Sequence, residues 1–120
     1  MITRNIKNIL SATYSGIGAC DYVEVRTYLP DEDKYRADIE RGVLELISLT
    51  GNITADDNDN LFEHSHAIFS YVKDNEVKFI GGHLTKAVIS YTGEFVITPV
   101  VGAVIRRMKD KITGIDVWKL

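Results

Sequence analysis

A chain of 120 residues has room for one hydrophobic core and not for two independent ones. Its 45% hydrophobic and 26% charged residues, with no low-complexity run, exclude a disordered tail protein. A formal net charge of −3 opposes unaided binding to a phosphate backbone. The longest uncharged apolar stretch, Phe95 to Ile105, is interrupted by Thr98, Pro99 and Gly102 and falls far short of a membrane span. The opening Met-Ile-Thr-Arg-Asn-Ile-Lys has no apolar signal region, and the lone Cys20 offers no disulfide framework. These features predict a single domain over residues 1–120 in the cytoplasm, where the sequon Asn52-Ile53-Thr54 has no role and Cys20 is a small buried hydrophobe.

In chain order, Ile2, Ile6, Ile9 and Leu10 recur at helical spacing and predict one short N-terminal helix ending before Ser15-Gly16-Ile17-Gly18. That Gly-x-Gly lacks the third glycine and the following helix of a phosphate cradle, and reads as a tight turn. Tyr22 to Leu29 alternates, with Val23, Val25, Thr27 and Leu29 on one face, as a half-buried strand does. Pro30-Asp31-Glu32-Asp33 turns the chain, and Val43 to Thr50 is a nearly continuous apolar strand closed by Gly51-Asn52. A polar loop from Ala55 to Asn60 precedes a strand over Phe62 to Val72, a turn, and further strands over Val77 to Ile80, Ala87 to Thr98 and Ile115 to Trp118. The basic cluster Arg106, Arg107, Lys109 and Lys111, diluted by Asp110, reads as a solvated loop and not as a nucleic-acid patch. Five or six strands with one helix predict an α+β fold built mainly of antiparallel sheet.

The chain's three histidines carry the functional signal. His64 and His66, two apart on a strand, project from the same face. If Asp74-Asn75 centres an even-length turn, Lys73 faces Glu76, Val72 faces Val77, and His83 falls directly opposite His66. Directly opposed Cβ atoms lie roughly 4.5–5.5 Å apart and the diagonal pair about 7–8 Å, gaps that imidazoles bridge. The cluster is therefore expected to bind a divalent metal, zinc first, although iron, copper, nickel and cobalt also accept imidazole nitrogen. Three protein ligands leave one position for water or substrate, as catalytic zinc sites do. His66, between the other two, is the ligand whose loss is expected to weaken binding most. Glu63 points away from the face of His64. Glu45 and Glu94 are the candidate acid/base or supporting carboxylates. Gly81-Gly82 allows a close backbone approach or a bulge beside the third ligand.

Ser15-Gly16-Ile17-Gly18-Ala19, Leu44-Glu45-Leu46-Ile47-Ser48-Leu49-Thr50-Gly51-Asn52-Ile53, His64-Ser65-His66 and Gly81-Gly82-His83-Leu84 together resemble the plants and prokaryotes conserved (PPC, or PCC) domain, in order and spacing over roughly residues 9 to 100. The resemblance implies an α+β fold that assembles as a homotrimer, with the three histidines as a metal cluster near the subunit boundary. In plants the domain accompanies an AT-hook and mediates association with itself and other nuclear proteins; prokaryotic members are often labelled DNA-binding. This chain has no Arg-Gly-Arg-Pro hook, and Val43 replaces the arginine of the plant partner-binding segment in Gly42-Val43-Leu44-Glu45-Leu46-Ile47. Only 14 residues precede Ser15, so the N-terminal strand and helix usual in the family are expected to be shortened, lost, cut away or replaced by Ile115 to Leu120. The leading expectation is a stand-alone trimeric metal-binding module that acts by assembly or by engaging a protein partner, without strong direct DNA binding or membrane association. The alternatives are a metal-dependent hydrolase in which a His₃-bound ion acidifies water, and an accessory transcriptional protein acting with a true DNA binder.

Overall fold

The computed structural model describes residues 9–119. Among the described residues strand accounts for 77% and helix for none, so the α+β expectation is corrected there to an all-β fold. The helix expected over Ile2 to Leu10 lies outside the described residues except at Ile9 and Leu10, which are irregular, and Ala12 already begins a strand. The elements in order are β1 (Ala12–Leu29), β2 (Lys34–Ala55), β3 (Leu61–Lys73), β4 (Glu76–Pro99), β5 (Arg106–Lys109) and β6 (Asp116–Lys119).

The four long strands are ordered β1-β4-β3-β2, and β1 also pairs with β2. The larger of two compact units, residues 14–51 and 64–96, holds the core. Period-two alternation explains which side chains enter it: Val23 and Val25 from β1, Leu44 and Leu46 from β2, and Ala67 and Phe69 from β3 are all buried, while Val43, Glu45, Ile47 and Ile68 between them face outward. On β2 the alternation slips by one after Leu46, leaving Ile47 and Ser48 both exposed before Leu49 turns inward, as an extra residue in a strand requires. That slip sends Ser48 and Thr50 outward. Cys20 is fully buried, and burial and the neighbouring Asp21 push its thiol pKa up.

The Gly16-Ile17-Gly18 segment is strand and not turn. A Cβ on Gly18 would strike the Thr92 carbonyl, so the glycine serves the close approach of β1 to β4 and not a reversal of the chain. Likewise Val77 to Ile80 and Ala87 to Thr98 belong to one continuous strand, β4.

In the smaller unit, residues 52–63 and 97–119 with the last residues before Tyr14, β2 ends beside β5 through a parallel pairing of Ala55 with Arg106. β5 and β6 then pair antiparallel from Arg106 with Lys119 to Lys109 with Asp116. Of the basic cluster read as a solvated loop, Arg106, Arg107 and Lys109 lie on this strand β5, and Lys111 lies in the turn that follows. The Arg106 guanidinium donates to the Asp56 carbonyl (2.5 Å) and to the Asp59 carboxylate (2.6 Å). Arg107 donates to the hydroxyl of buried Thr54 (2.8 Å) and to the Asn52 side chain (3.3 Å). The Asp56 carboxylate accepts from Asn60 and from the backbone of Asn58, which holds its pKa below the usual value. Among the described residues no helix is long and apolar enough to cross a membrane.

Candidate metal centre

Asp74 and Asn75 form the β3–β4 turn with φ of 53° and 61°. Two successive left-handed residues define the tight hairpin turn whose twist matches the flanking strands, and Asp and Asn tolerate that backbone best after glycine. The register follows: Lys73 pairs with Glu76, Val72 with Val77, and so on to His66 with His83. The expected even-length turn and opposition of the two histidines are both present, and Gly81-Gly82 adds no residue to the ladder.

With Ala67 and Phe69 pointing into the core, His64 and His66 stand on the outer face, exposed, and His83 joins them half-buried. The His64 Nε2 lies 3.3 Å from the His83 Nδ1 and 3.3 Å from the His66 Nε2. All three ligand nitrogens fall within 4.8 Å of one another. An imidazole nitrogen carries either a proton or one in-plane lone pair, so the His64 nitrogen cannot donate to one neighbour while accepting from the other. A cation between the rings satisfies all three lone pairs at once. Two donors each about 2.05 Å from an ion at a tetrahedral angle sit about 3.3 Å apart, the spacing His64 keeps from each of the other two rings. The cluster can hold a metal. His64, and not His66, supplies the nitrogen nearest both others, because the ring of His83 reaches diagonally across the ladder.

Tyr35, at the start of β2, sets its ring edge-on to His83 at 5.5 Å and 77°. Tyr28 lies 5.5 Å from Tyr35 and donates its hydroxyl to the Asp33 carboxylate at 2.6 Å, a bond that raises the Tyr28 pKa. This aromatic buttress escapes the sequence reading because Lys34 to Arg41 is too polar to register as strand. A four-residue turn at Pro30 to Asp33 would nonetheless place Tyr28 opposite Tyr35, and that was the available signal. Of the proposed supporting carboxylates, Glu45 lines a separate groove with Val43, Tyr71 and Val72, and the Glu94 carbonyl lies beside Gly16. Among the described residues the group brought together is imidazoles alone.

Burial, and secondarily the neighbouring His66, lower the pKa of His83. Its folded value is below the unfolded one, so the metal-free protein binds fewer protons at this site than the unfolded chain and loses stability as pH falls below the ordinary imidazole value of about 6.5. Metal binding shares that direction, since only neutral imidazole is a ligand. Affinity measured by competition with a chelator is expected to be level above about pH 7 and to fall steeply below about pH 6. An affinity unchanged down to pH 5 would contradict imidazole ligation.

All-β over its described residues, with three convergent imidazoles on a hairpin's outer face, the chain falls in a class of small β domains bearing a surface cluster that could hold a metal. The chain belongs to the Plants and Prokaryotes Conserved (PCC) domain family, whose model matches residues 3–101. Among solved structures it is similar to the metal-containing protein of Archaeoglobus fulgidus, with 32% identity and a TM-score of 0.77 over 95% of this chain and 77% of that one. It is similar to a plant- and prokaryote-conserved protein of Pyrococcus horikoshii, with 28% identity and a TM-score of 0.78 over 93% and 74%. It is also similar to a candidate DNA-binding protein of Bacteroides thetaiotaomicron, with 27% identity and a TM-score of 0.80 over 94% and 76%. No curated protein matches the chain.

Proposed function

We propose that His64, His66 and His83 hold one divalent metal ion, zinc foremost, in a domain that assembles as a homotrimer in the cytoplasm and works through assembly or through a protein partner. The observation that carries this reading is the convergence of three ring nitrogens within 4.8 Å with no carboxylate among them. Neutral imidazole is the donor zinc shares most readily, and the metal-containing relative lends support. The test is elemental analysis of untagged protein reconstituted with zinc, which is expected to give close to one ion per chain. No bound transition metal after reconstitution would refute it.

The trimer rests on the family and on exposed apolar side chains that need cover: Val43, Ile47, Val72 and Val77 are 62%, 48%, 70% and 66% exposed on neighbouring strands. Sedimentation at micromolar concentration is expected to give three times the 13.5 kDa chain mass, and Val77→Lys to shift it toward monomer. A monomeric parent would overturn the assembly.

Direct DNA binding is expected to be weak and without sequence preference. The net charge is −3, and the two arginines of the basic cluster are turned to the chain's own Asp59, Asp56, Thr54 and Asn52. Any affinity should collapse between about 50 and 200 mM salt, because few phosphates can be neutralised. Sequence-dependent binding that survives 200 mM salt would reverse this view. The hydrolytic alternative draws less support, since Glu45 lines a separate groove and neither Glu45 nor Glu94 joins the imidazole cluster.

A further inference from the structure

Beyond His66 the outer face opens into a groove of about 550 Å³, a volume in the range of small-molecule sites. His66 closes one end, Ile68 and Phe79 form an apolar wall, and Ser48 and Thr50, sent outward by the slip in β2, supply hydroxyls. Gly81 also lines the groove, and the side chain of its cross-strand partner Ile68 lies against it, 3.3 Å from where a Cβ would stand. Ile68 and Phe79 are 49% and 66% exposed in the single chain.

The histidine end determines the kind of head group that fits. Three neutral imidazoles with no carboxylate among them would leave the double charge of a divalent ion uncompensated, so the position open to water favours an anion over a neutral ligand. Among the described residues no lysine or arginine lines the groove, which gives a phosphoryl group none of the cationic donors it draws on. The apolar wall then favours an anion with a hydrocarbon body.

We propose that this groove binds a small organic acid as its carboxylate, head toward His66 and apolar body along Ile68 and Phe79, with Ser48 and Thr50 bonding polar substituents of the body. The proposal rests on the metal reading above and deepens it by naming the class of ligand.

The test uses the assembled protein loaded with Co(II), whose visible spectrum reports changes at the ion, titrated with acetate and with hexanoate. Each buried methylene is worth about fourfold in affinity, and a half-open groove captures part of this, so hexanoate is expected to bind on the order of tenfold to a hundredfold tighter than acetate. Phe79→Ser and Ile68→Ser, at exposed positions where folding is spared, are expected to bring hexanoate down toward acetate while leaving the ligand-free cobalt spectrum unchanged. Equal binding of the two acids to the parent, or a hexanoate preference that persists in both variants, would overturn the groove assignment and leave the metal reading intact. Failure of the protein to take up Co(II) at all would overturn both.

Discussion

Replacing His64, His66 or His83 singly by alanine is expected to lower zinc affinity by more than about a hundredfold in each case, because even the outer partners of metal ligands are worth ten- to a hundredfold. His64→Ala should cost most, since its Nε2 stands 3.3 Å from both neighbouring nitrogens and so links the other two ligands. Folding should be little affected in His64→Ala and His66→Ala, whose side chains are exposed. Circular dichroism and a denaturation midpoint separate loss of metal from loss of structure. Glu45→Gln and Glu94→Gln serve as controls and should bind as the parent does. If His83→Ala holds zinc like the parent, the site reduces to a His-x-His pair, and the three-imidazole account fails.

Gly82→Ala is expected to destabilise the protein by about 2–4 kcal/mol. The residue sits at a φ of 149°, and a Cβ there would lie 2.7 Å from the Arg26 carbonyl oxygen and 3.2 Å from the Thr27 hydroxyl. Unfavourable backbone conformation costs about 1–3 kcal/mol and overpacking a further 1–3. The obstacle is backbone of β1, which cannot swing aside as a side chain does. Because Gly82 precedes His83, relief of the clash must move the third imidazole, so zinc affinity should fall with stability. Urea denaturation checks the first effect and chelator competition the second. A variant within about 0.5 kcal/mol of the parent would mean that β1 does not press on β4 at this point.

The histidine site was largely legible in the sequence because a short hairpin is a local object. Asp74-Asn75 dictates a two-residue turn, the turn dictates the register, and period-two alternation does the rest. Where chain geometry beyond the hairpin mattered, the sequence was less informative. Glycines at 16 and 18 read as a turn, yet both lie inside a strand, where a missing Cβ admits a neighbouring strand that no local pattern reveals; the close backbone approach expected at Gly81-Gly82 is present, but its partner, β1, was not legible. The segment from Arg106 to Lys109 looked solvated because its charges are its most visible feature, while the partners that absorb those charges, Asp59 and Thr54, lie about fifty residues earlier. The α+β expectation rested on four apolar residues at helical spacing before Ser11, too short a run to outweigh a chain otherwise rich in β-branched and aromatic residues. Tyr35 was missed for the converse reason: its strand is polar on both faces near the turn, so neither alternation nor hydrophobicity marks it.

The most direct test of the three-imidazole site is X-ray absorption at the zinc edge on reconstituted, untagged protein. The account predicts three nitrogen scatterers at about 2.0–2.1 Å with the outer-shell signature of imidazole rings, completed by one light atom. A first shell containing sulfur, or one in which imidazole accounts for fewer than three ligands, would contradict it.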